Sequence, residues 1–334
     1  MVCEDSDLYR EHPDWAFTIP GRKPVRARYQ LVLDYSRKEV VDGIFAQIAK
    51  VLDDTKADYV KMDMNRHLTD IWSKTAAEQN QGAILHRYVL GVYDFLERLH
   101  ERYPDLLIEG CSGGGGRFDA GMLYYTPQIW CSDNTDAVER IKIQYGTSFA
   151  YPSCTVGSHV SAVPNHQTGR TTELATRAAV AMAGSFGYEL DLNLLTEEEK
   201  EQVREQIKNY HRFEMLIRQG RYYRLTDVWQ KKEYAAWEYC RPDGSEALVT
   251  VVTLNTQCNP ATEYVKLRGL GEDKKYRVEV VGMQTGGENG QRINGTPNAV
   301  EPEYYTGAQL VYAGVPVPRL GNEYKSWQVY VKEV

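Results

Sequence analysis

Two short apolar runs, each ending in an aspartate and each followed by a helical pattern, constrain this chain most. They are Asp58-Tyr59-Val60-Lys61-Met62-Asp63 and Gln128-Ile129-Trp130-Cys131-Ser132-Asp133. A buried strand followed by an amphipathic helix is the repeating unit of a parallel sheet, because a parallel partner needs a long crossover. Gln30 to Asp34 and Leu106 to Glu109 extend the series, with weaker runs at Thr155 to His159 and Ser185 to Leu190. Ser36-Arg37-Lys38-Glu39 reads as a capping box opening a helix to about Asp53, with Val40, Val41, Ile44, Ile48 and Val51 as its apolar stripe. A long helix is expected from about Gln81 to Arg102 and a small-residue helix from about Glu173 to Ala183. A second box, Thr196-Glu197-Glu198-Glu199, opens a polar helix to about Arg218.

From about residue 226 the texture changes to short alternating strands. Ala247 to Val252, Tyr264 to Leu267, Tyr276 to Val280 and Trp327 to Val331 are separated by Gly, Pro and Asn turns such as Pro242-Asp243-Gly244. This pattern predicts a small antiparallel β-sandwich. The length of 334 residues leaves room for one large domain and this smaller one.

Composition removes several function classes. A net charge of -7 and an isoelectric point near 5.6 argue against a nucleic-acid partner, whose affinity would come from Lys and Arg on phosphates. No 18-residue apolar run suggests a membrane span, and the N-terminus is acidic where a signal peptide is basic, so a cytoplasmic protein is expected. The six cysteines form no C-x-x-C pair and read as free thiols. Histidines at 12, 67, 86, 100, 159, 166 and 211 show no ligand spacing, so neither a metal nor a cofactor is assigned. The four glycines Gly113 to Gly116 match no phosphate-binding pattern; their expected use is close backbone approach or positive φ.

Carboxylates at the C-terminal ends of parallel strands are where βα enzymes keep their active sites, and Asp63 and Asp133 both fit. A lone aspartate after a strand is more often a helix cap or an ion-pair partner. Two of them, held about 5 to 5.5 Å apart, can act as nucleophile and acid/base in retaining glycoside hydrolysis. Lys61 precedes Asp63 by two residues, on the same side of the strand, and its cation is expected to help keep Asp63 ionised. Asn65 and Arg66 add donors just past the strand end, and Trp130 is expected to offer an aromatic face near Asp133.

Three motifs carry a family resemblance. Tyr59-Val60-Lys61-Met62-Asp63-Met64-Asn65-Arg66, then Cys111 to Asp119 (CSGGGGRFD), then Ser132 to Arg140 (SDNTDAVER) closely resemble bacterial α-galactosidases of glycoside hydrolase family 36. The similarity covers nearly the whole chain, from Ser6-Asp7-Leu8-Tyr9-Arg10 into the C-terminal strands. The resemblance implies a (β/α)8 TIM-type barrel, of which 1–224 is a portion with the first strands missing, and a C-terminal antiparallel β-sandwich over 225–334. It implies hydrolysis of terminal α-galactosides such as melibiose and raffinose with retention, no cofactor, and a homo-oligomer. By motif position Asp63 matches the nucleophile and Asp133 the acid/base. Lys61, Asn65, Cys111, Gly114 and Trp130 fall where the family contacts galactose, and Arg28 matches a sugar-binding arginine.

Two departures stand out. Met62 replaces the family's usual tryptophan, on the side of the strand expected to face away from Asp63. Family members are also much longer, with an N-terminal β-sandwich and the first barrel strands ahead of the region present here. The expectation is therefore a fragment with open sheet edges and weak activity unless its barrel is completed. Galactosyl transfer and α-N-acetylgalactosaminidase activity stay open as alternatives.

Overall fold

Alternation of apolar strand and amphipathic helix builds the first of the chain's two units, Met1–Cys131. The computed structural model describes residues 1–258, 261–281, 303–317 and 323–334. In chain order the first unit contains β1 (Val2–Cys3), α1 (Asp7–Glu11), β2 (Gln30–Leu31), α2 (Lys38–Thr55), β3 (Tyr59–Asp63), α3 (Ile84–Arg102), β4 (Leu107–Cys111), α4 (Ala120–Tyr125) and β5 (Gln128–Ile129). β3, β4 and β5 form a parallel sheet in that order, with Lys61 beside Glu109 and Asp63 beside Cys111. Val41, Leu52, Ile84, Val92, Phe95, Leu96, Leu99 and Ile108 share one apolar core. Along β3, Val60 and Met62 pack against that core, while Tyr59, Lys61 and Asp63 are exposed. Two-residue alternation on a strand requires this division, and Met62 duly points away from Asp63.

Two local expectations are corrected. The first capping box does not form: α2 begins at Lys38, and Arg37 is its N-cap residue without a side-chain cap. The buried Arg37 guanidinium takes Glu39 at 2.8 Å and Asp14 at 2.9 Å, while Asp34 accepts from the Ser36 amide and hydroxyl. Glu39 is thus drawn to a charged partner in place of the cap. Gln30 to Asp34, expected to lead the parallel series, pairs antiparallel with β1 (Val2 opposite Leu31), and Leu33 bridges Ala16 in the same sense. Of the expected apolar stripe on α2, Val40 and Val41 are buried, whereas Val51 is exposed and Ala49 and Leu52 take the inner positions.

The second unit, Ser132–Val334, contains α5 (Ala137–Thr147), β6 (Gly157–Ser161), α6 (Leu174–Ala181), β7 (Ser185–Glu189), α7 (Glu197–Gln219) and β8 (Arg221–Arg224). It continues with β9 (Tyr234–Cys240), β10 (Glu246–Thr253), β11 (Tyr264–Val265), β12 (Lys275–Val281), β13 (Glu303–Thr306), β14 (Val315–Pro316) and β15 (Ser326–Glu333). β6 and β7 are a parallel pair; β6 starts two residues later than expected, behind a 3-10 turn at Ser153–Thr155. The Thr196 capping box forms in full at the head of α7, the Thr196 hydroxyl accepting from the Glu199 amide while the Glu199 carboxylate accepts from the Thr196 amide.

β13-β12-β15-β10-β9-β8 make one antiparallel sheet. Trp237, Tyr239, Leu248 and Tyr330 pack from it onto Phe213, Leu216 and Ile217 of α7. Val249, Val251, Val329 and Val331 pack onto Val265, Leu267, Leu270, Leu310 and Val315. β9 is buried at all seven positions for this reason, since both faces of the sheet are covered. The expected domain 225–334 includes residues 259–260, 282–302 and 318–322, which lie outside the described residues. Among the described residues no helix is long and apolar enough to cross a membrane.

Candidate active site

In the first unit, the C-terminal ends of β3 and β4 bring Asp63 and Cys111 together. Asn65, just past the strand, donates through Nδ2 to Asp63 and accepts the Gly113 N–H on Oδ1 at 2.6 Å. Burial pushes the Cys111 thiol up to about 11, and the Asp63 carboxylate, hydrogen-bonded to it, adds to the effect. A thiol held protonated is a donor to the carboxylate and not a competing nucleophile.

One rung further from the strand ends, Lys61 lies opposite Glu109 with Nζ 3.2 Å from Oε1, and 4.7 Å from the centroid of the Trp130 ring. Glu109 is buried and also accepts from the Tyr59 hydroxyl and from Gln128 Nε2 at 2.7 Å. The ion-pair partner of Lys61 is thus Glu109, on the face of the sheet that also bears Asp63. Trp130 is also deeper than expected, 4% exposed, with its ring against the Lys61 ammonium. Glu109, Tyr59 and Gln128 were missed as site residues. Strand parity with Lys61 and Asp63 was the available signal for Tyr59, whereas Glu109 and Gln128 are placed by the β3–β4–β5 register.

The glycine run behaves as its composition suggested. Gly113 and Gly114 adopt φ of 55° and 82°, and the Ser112 amide donates to the Gly114 carbonyl at 2.8 Å. A Cβ on Gly115 would stand 2.8 Å from the Cys131 carbonyl oxygen, and one on Gly116 2.6 Å from that of Ser112. Arg117 follows, and its guanidinium donates to the carbonyls of Met62 (3.1 Å) and Cys111 (2.8 Å), tying the two strand ends together. Burial holds its pKa below the ordinary arginine value. A cavity of about 650 Å³ is lined by Met64, Asn65, Tyr88, Gly113, Arg117 and Met122.

Arg28 sits on a two-residue turn. Ala27 and Gln30 exchange backbone hydrogen bonds at 3.1 and 3.4 Å, and the two central residues, Arg28 and Tyr29, have φ of 51° and 59°. Positive φ at both central positions is the type I′ pattern, normally filled by Asn and Gly. Arg28 is exposed, and Tyr29 is 89% exposed.

Asp133 belongs to the second unit, where its side chain is exposed and its carbonyl accepts Gln167 Nε2 at 3.3 Å. Three residues on, buried Asp136 caps α5, accepting the Val138 and Glu139 amides at 2.8 and 3.1 Å. Burial opposes its charge, yet hydrogen bonds from Thr168, the Glu139 amide and Arg170 hold the Asp136 carboxyl below the usual carboxylate range. The first unit thus gathers Asp63, Lys61, Asn65, Cys111, Gly114 and Trp130, and the second holds Asp133 on a capped turn. Among the described residues no group of three or more His, Cys, Asp or Glu side chains is placed to hold a metal ion.

The Melibiase family model matches residues 1–220, and the glycosyl hydrolase family 36 C-terminal domain matches residues 234–331. The chain is 55% identical, over all 334 residues, to the bifunctional α-galactosidase/sucrose kinase AgaSK of Mediterraneibacter gnavus, and 45% identical to the α-galactosidase AgaA of Geobacillus stearothermophilus. It spans 33% and 43% of those two proteins' lengths. Its structure superposes in full on the galactosidase domain of AgaSK with a TM-score of 0.88 at 54% identity, covering 42% of that chain. Superposition on AgaA gives 0.91 at 44% identity, covering 43%. The fold is therefore shared with α-galactosidases of known structure, and the chain belongs to glycoside hydrolase family 36, the melibiase family.

Proposed function

We propose that this chain supplies both catalytic carboxylates of a retaining α-galactosidase. The carboxylate of Asp63 attacks the anomeric carbon while Asp133 gives its proton to the departing glycosidic oxygen, leaving galactose bonded to Asp63. Asp133, now a carboxylate, takes a proton from water, whose oxygen displaces Asp63 and restores both groups. Lys61, Asn65, Cys111, Gly114, Trp130 and Arg28 bind and orient the galactose. The observation that carries the reading is 55% identity to a named α-galactosidase/sucrose kinase over the whole chain. The company of Asp63 supports it locally: an amide donor, a protonated thiol and a nearby ammonium suit a sugar's hydroxyls.

Terminal α-galactosides of the raffinose type are the proposed substrates, supported by AgaA variants whose crystal structures hold raffinose and stachyose. A portion of a (β/α)8 barrel over 1–224 with a C-terminal β-sandwich over 225–334 belongs to the same reading, which the matched ranges 1–220 and 234–331 support. So does a cytoplasmic setting, supported by six free cysteines.

Release of an aryl α-galactoside by the purified chain and by Asp63→Asn, with NMR of the first-formed sugar, tests it. The expected result is release that depends on Asp63 and gives α-galactose first. Release indifferent to Asp63, or β-galactose as the first product, overturns it; galactosyl oligosaccharides in place of free sugar would point to transfer.

A further inference from the structure

The turn that carries Asp133 is braced from outside. Asn165 Nδ2 donates to the Thr135 hydroxyl at 3.0 Å, and Gln167 Nε2 to the Asp133 carbonyl at 3.3 Å. The Thr168 hydroxyl donates to one Asp136 oxygen, and Arg170 Nη1 to the other. Residues 165–170 are themselves a closed loop: the Asn165 amide donates to the Arg170 carbonyl at 2.8 Å, and Asn165 Oδ1 accepts the amides of Gln167 and Thr168. Arg170 reaches beyond this brace. Its guanidinium lies 5.3 Å from the centroid of the Tyr324 ring, in the segment that leads into β15.

Tyr324 is held there against its own backbone preference. Its φ is 58°, a left-handed conformation that costs a non-glycine residue on the order of 1–2 kcal/mol. Its carbonyl accepts the Thr176 hydroxyl at 2.7 Å, and the next residue, Lys325, pairs with Glu173. Strain of this kind persists only where surrounding contacts over-determine the conformation, and it collects at sites with a role.

We propose that Arg170 is a positioning residue for Asp133: pinned between the Tyr324 ring and the buried Asp136, it fixes the capped turn from which Asp133 projects. This gives the C-terminal sheet a part in catalysis, through one aromatic side chain, without any group of its own at the reacting atoms. The inference rests on the reading of Asp133 as the acid/base. Asp136 alone caps the helix, but its carboxylate needs the guanidinium to stay oriented toward both the α5 amides and the loop. Arg suits the position because its planar fork can bond a carboxylate while stacking on a ring, which a lysine cannot do.

The experiment compares the chain with Arg170→Met and Tyr324→Gly, the latter chosen because glycine accepts the left-handed backbone. kcat/KM, which reports the first bond-breaking step, is measured on an aryl α-galactoside with an acidic phenol and on melibiose, which needs full proton donation. Hydrogen exchange over residues 130–140 is measured alongside. The expected result is a loss of about tenfold or more on melibiose in both variants, part of the roughly 10²–10⁴-fold that general acid catalysis supplies. The aryl substrate should change by less than about threefold, and exchange over the turn should quicken. Equal losses on both substrates overturn the proposal, since a merely structural defect does not discriminate between leaving groups. If the unsubstituted chain cleaves neither substrate, the activity reading fails for the isolated chain and exchange alone decides. Unchanged protection over 130–140 in Arg170→Met then overturns the positioning role, and faster exchange there with β9 and β10 unaltered upholds it.

Discussion

Lys61 and Glu109 occupy one rung of the β3–β4 register, and the ammonium lies 3.2 Å from the carboxylate, with the Trp130 ring 4.7 Å from Nζ. Glu109 is buried, whereas the Lys61 side chain is 37% exposed, so solvent screens part of the attraction. What Glu109 contributes is direction: it collects Tyr59, Gln128 and Lys61 on one carboxylate and leaves the ammonium aimed along the face that also bears Asp63.

Replacing Glu109 by Gln keeps the size and loses the charge. Stability is expected to fall by about 1–2 kcal/mol, because charge-assisted bonds become neutral ones inside the sheet. KM for an α-galactoside is expected to rise more than kcat falls, since the role proposed for Lys61 is binding the sugar and not proton transfer. Urea unfolding and steady-state kinetics check both, and an unchanged unfolding midpoint would remove Glu109 from this role.

Gly116→Ala should be costly despite its modest chemistry. The new methyl would meet the Ser112 carbonyl oxygen, a backbone atom, at 2.6 Å in the turn that Ser112 and Gly116 close with a 3.3 Å hydrogen bond. Overpacking of this kind costs about 1–3 kcal/mol, and here it pushes on Arg117, which ties the ends of β3 and β4. Gly82→Ala, where nothing lies within 4 Å of the added methyl, serves as the neutral control in the same thermal melts.

The parts of this arrangement legible in the sequence are those governed by local pattern. Strand β3 followed from an apolar run ending in a carboxylate, and α7 from a capping box with no stronger partner for Glu199. The Ser36 box failed because a buried arginine one residue away competed for Glu39, a tertiary effect that spacing does not reveal. Gln30 to Asp34 looked like the other strands, but pairing partner and direction come from distant residues, here Val2, Cys3 and Ala16. At the site, Asp63, Asn65 and Cys111 were found from motif and strand end. Glu109 was visible in the sequence only as the last residue of an expected strand, and its link to Lys61 needed the β3–β4 register.

Tyr29→Asn is expected to stabilise the first unit. Tyr29 pays for a φ of 59° with no packing in return, being 89% exposed, and asparagine tolerates the left-handed region far better. A gain of about 0.5–1 kcal/mol in urea unfolding is expected. Loss of stability instead would mean that the ring makes contacts worth more than the strain, which its exposure argues against.

Glu238 should make the second unit's stability fall as the pH rises through neutrality. It lies fully buried in β9, where one carboxylate oxygen accepts the Arg268 amide at 2.8 Å and the other has no hydrogen-bond partner among the described residues. Burial pushes its pKa from the ordinary 4.5 up to about 8. Below pH 4.5 the carboxyl is protonated in both folded and unfolded chain, so its contribution is fully present there. Between about 4.5 and 8 only the unfolded chain releases the proton, and stability declines with a slope approaching about 1.4 kcal/mol per pH unit. Glu238→Gln cannot titrate and should lack this component, so the difference between the two proteins isolates it from every other carboxylate. Urea unfolding of both at pH 5, 6, 7 and 8 is the measurement: the variant should gain on the parent at each step upward, and two parallel curves would show that Glu238 ionises in the folded sheet as readily as in the open chain.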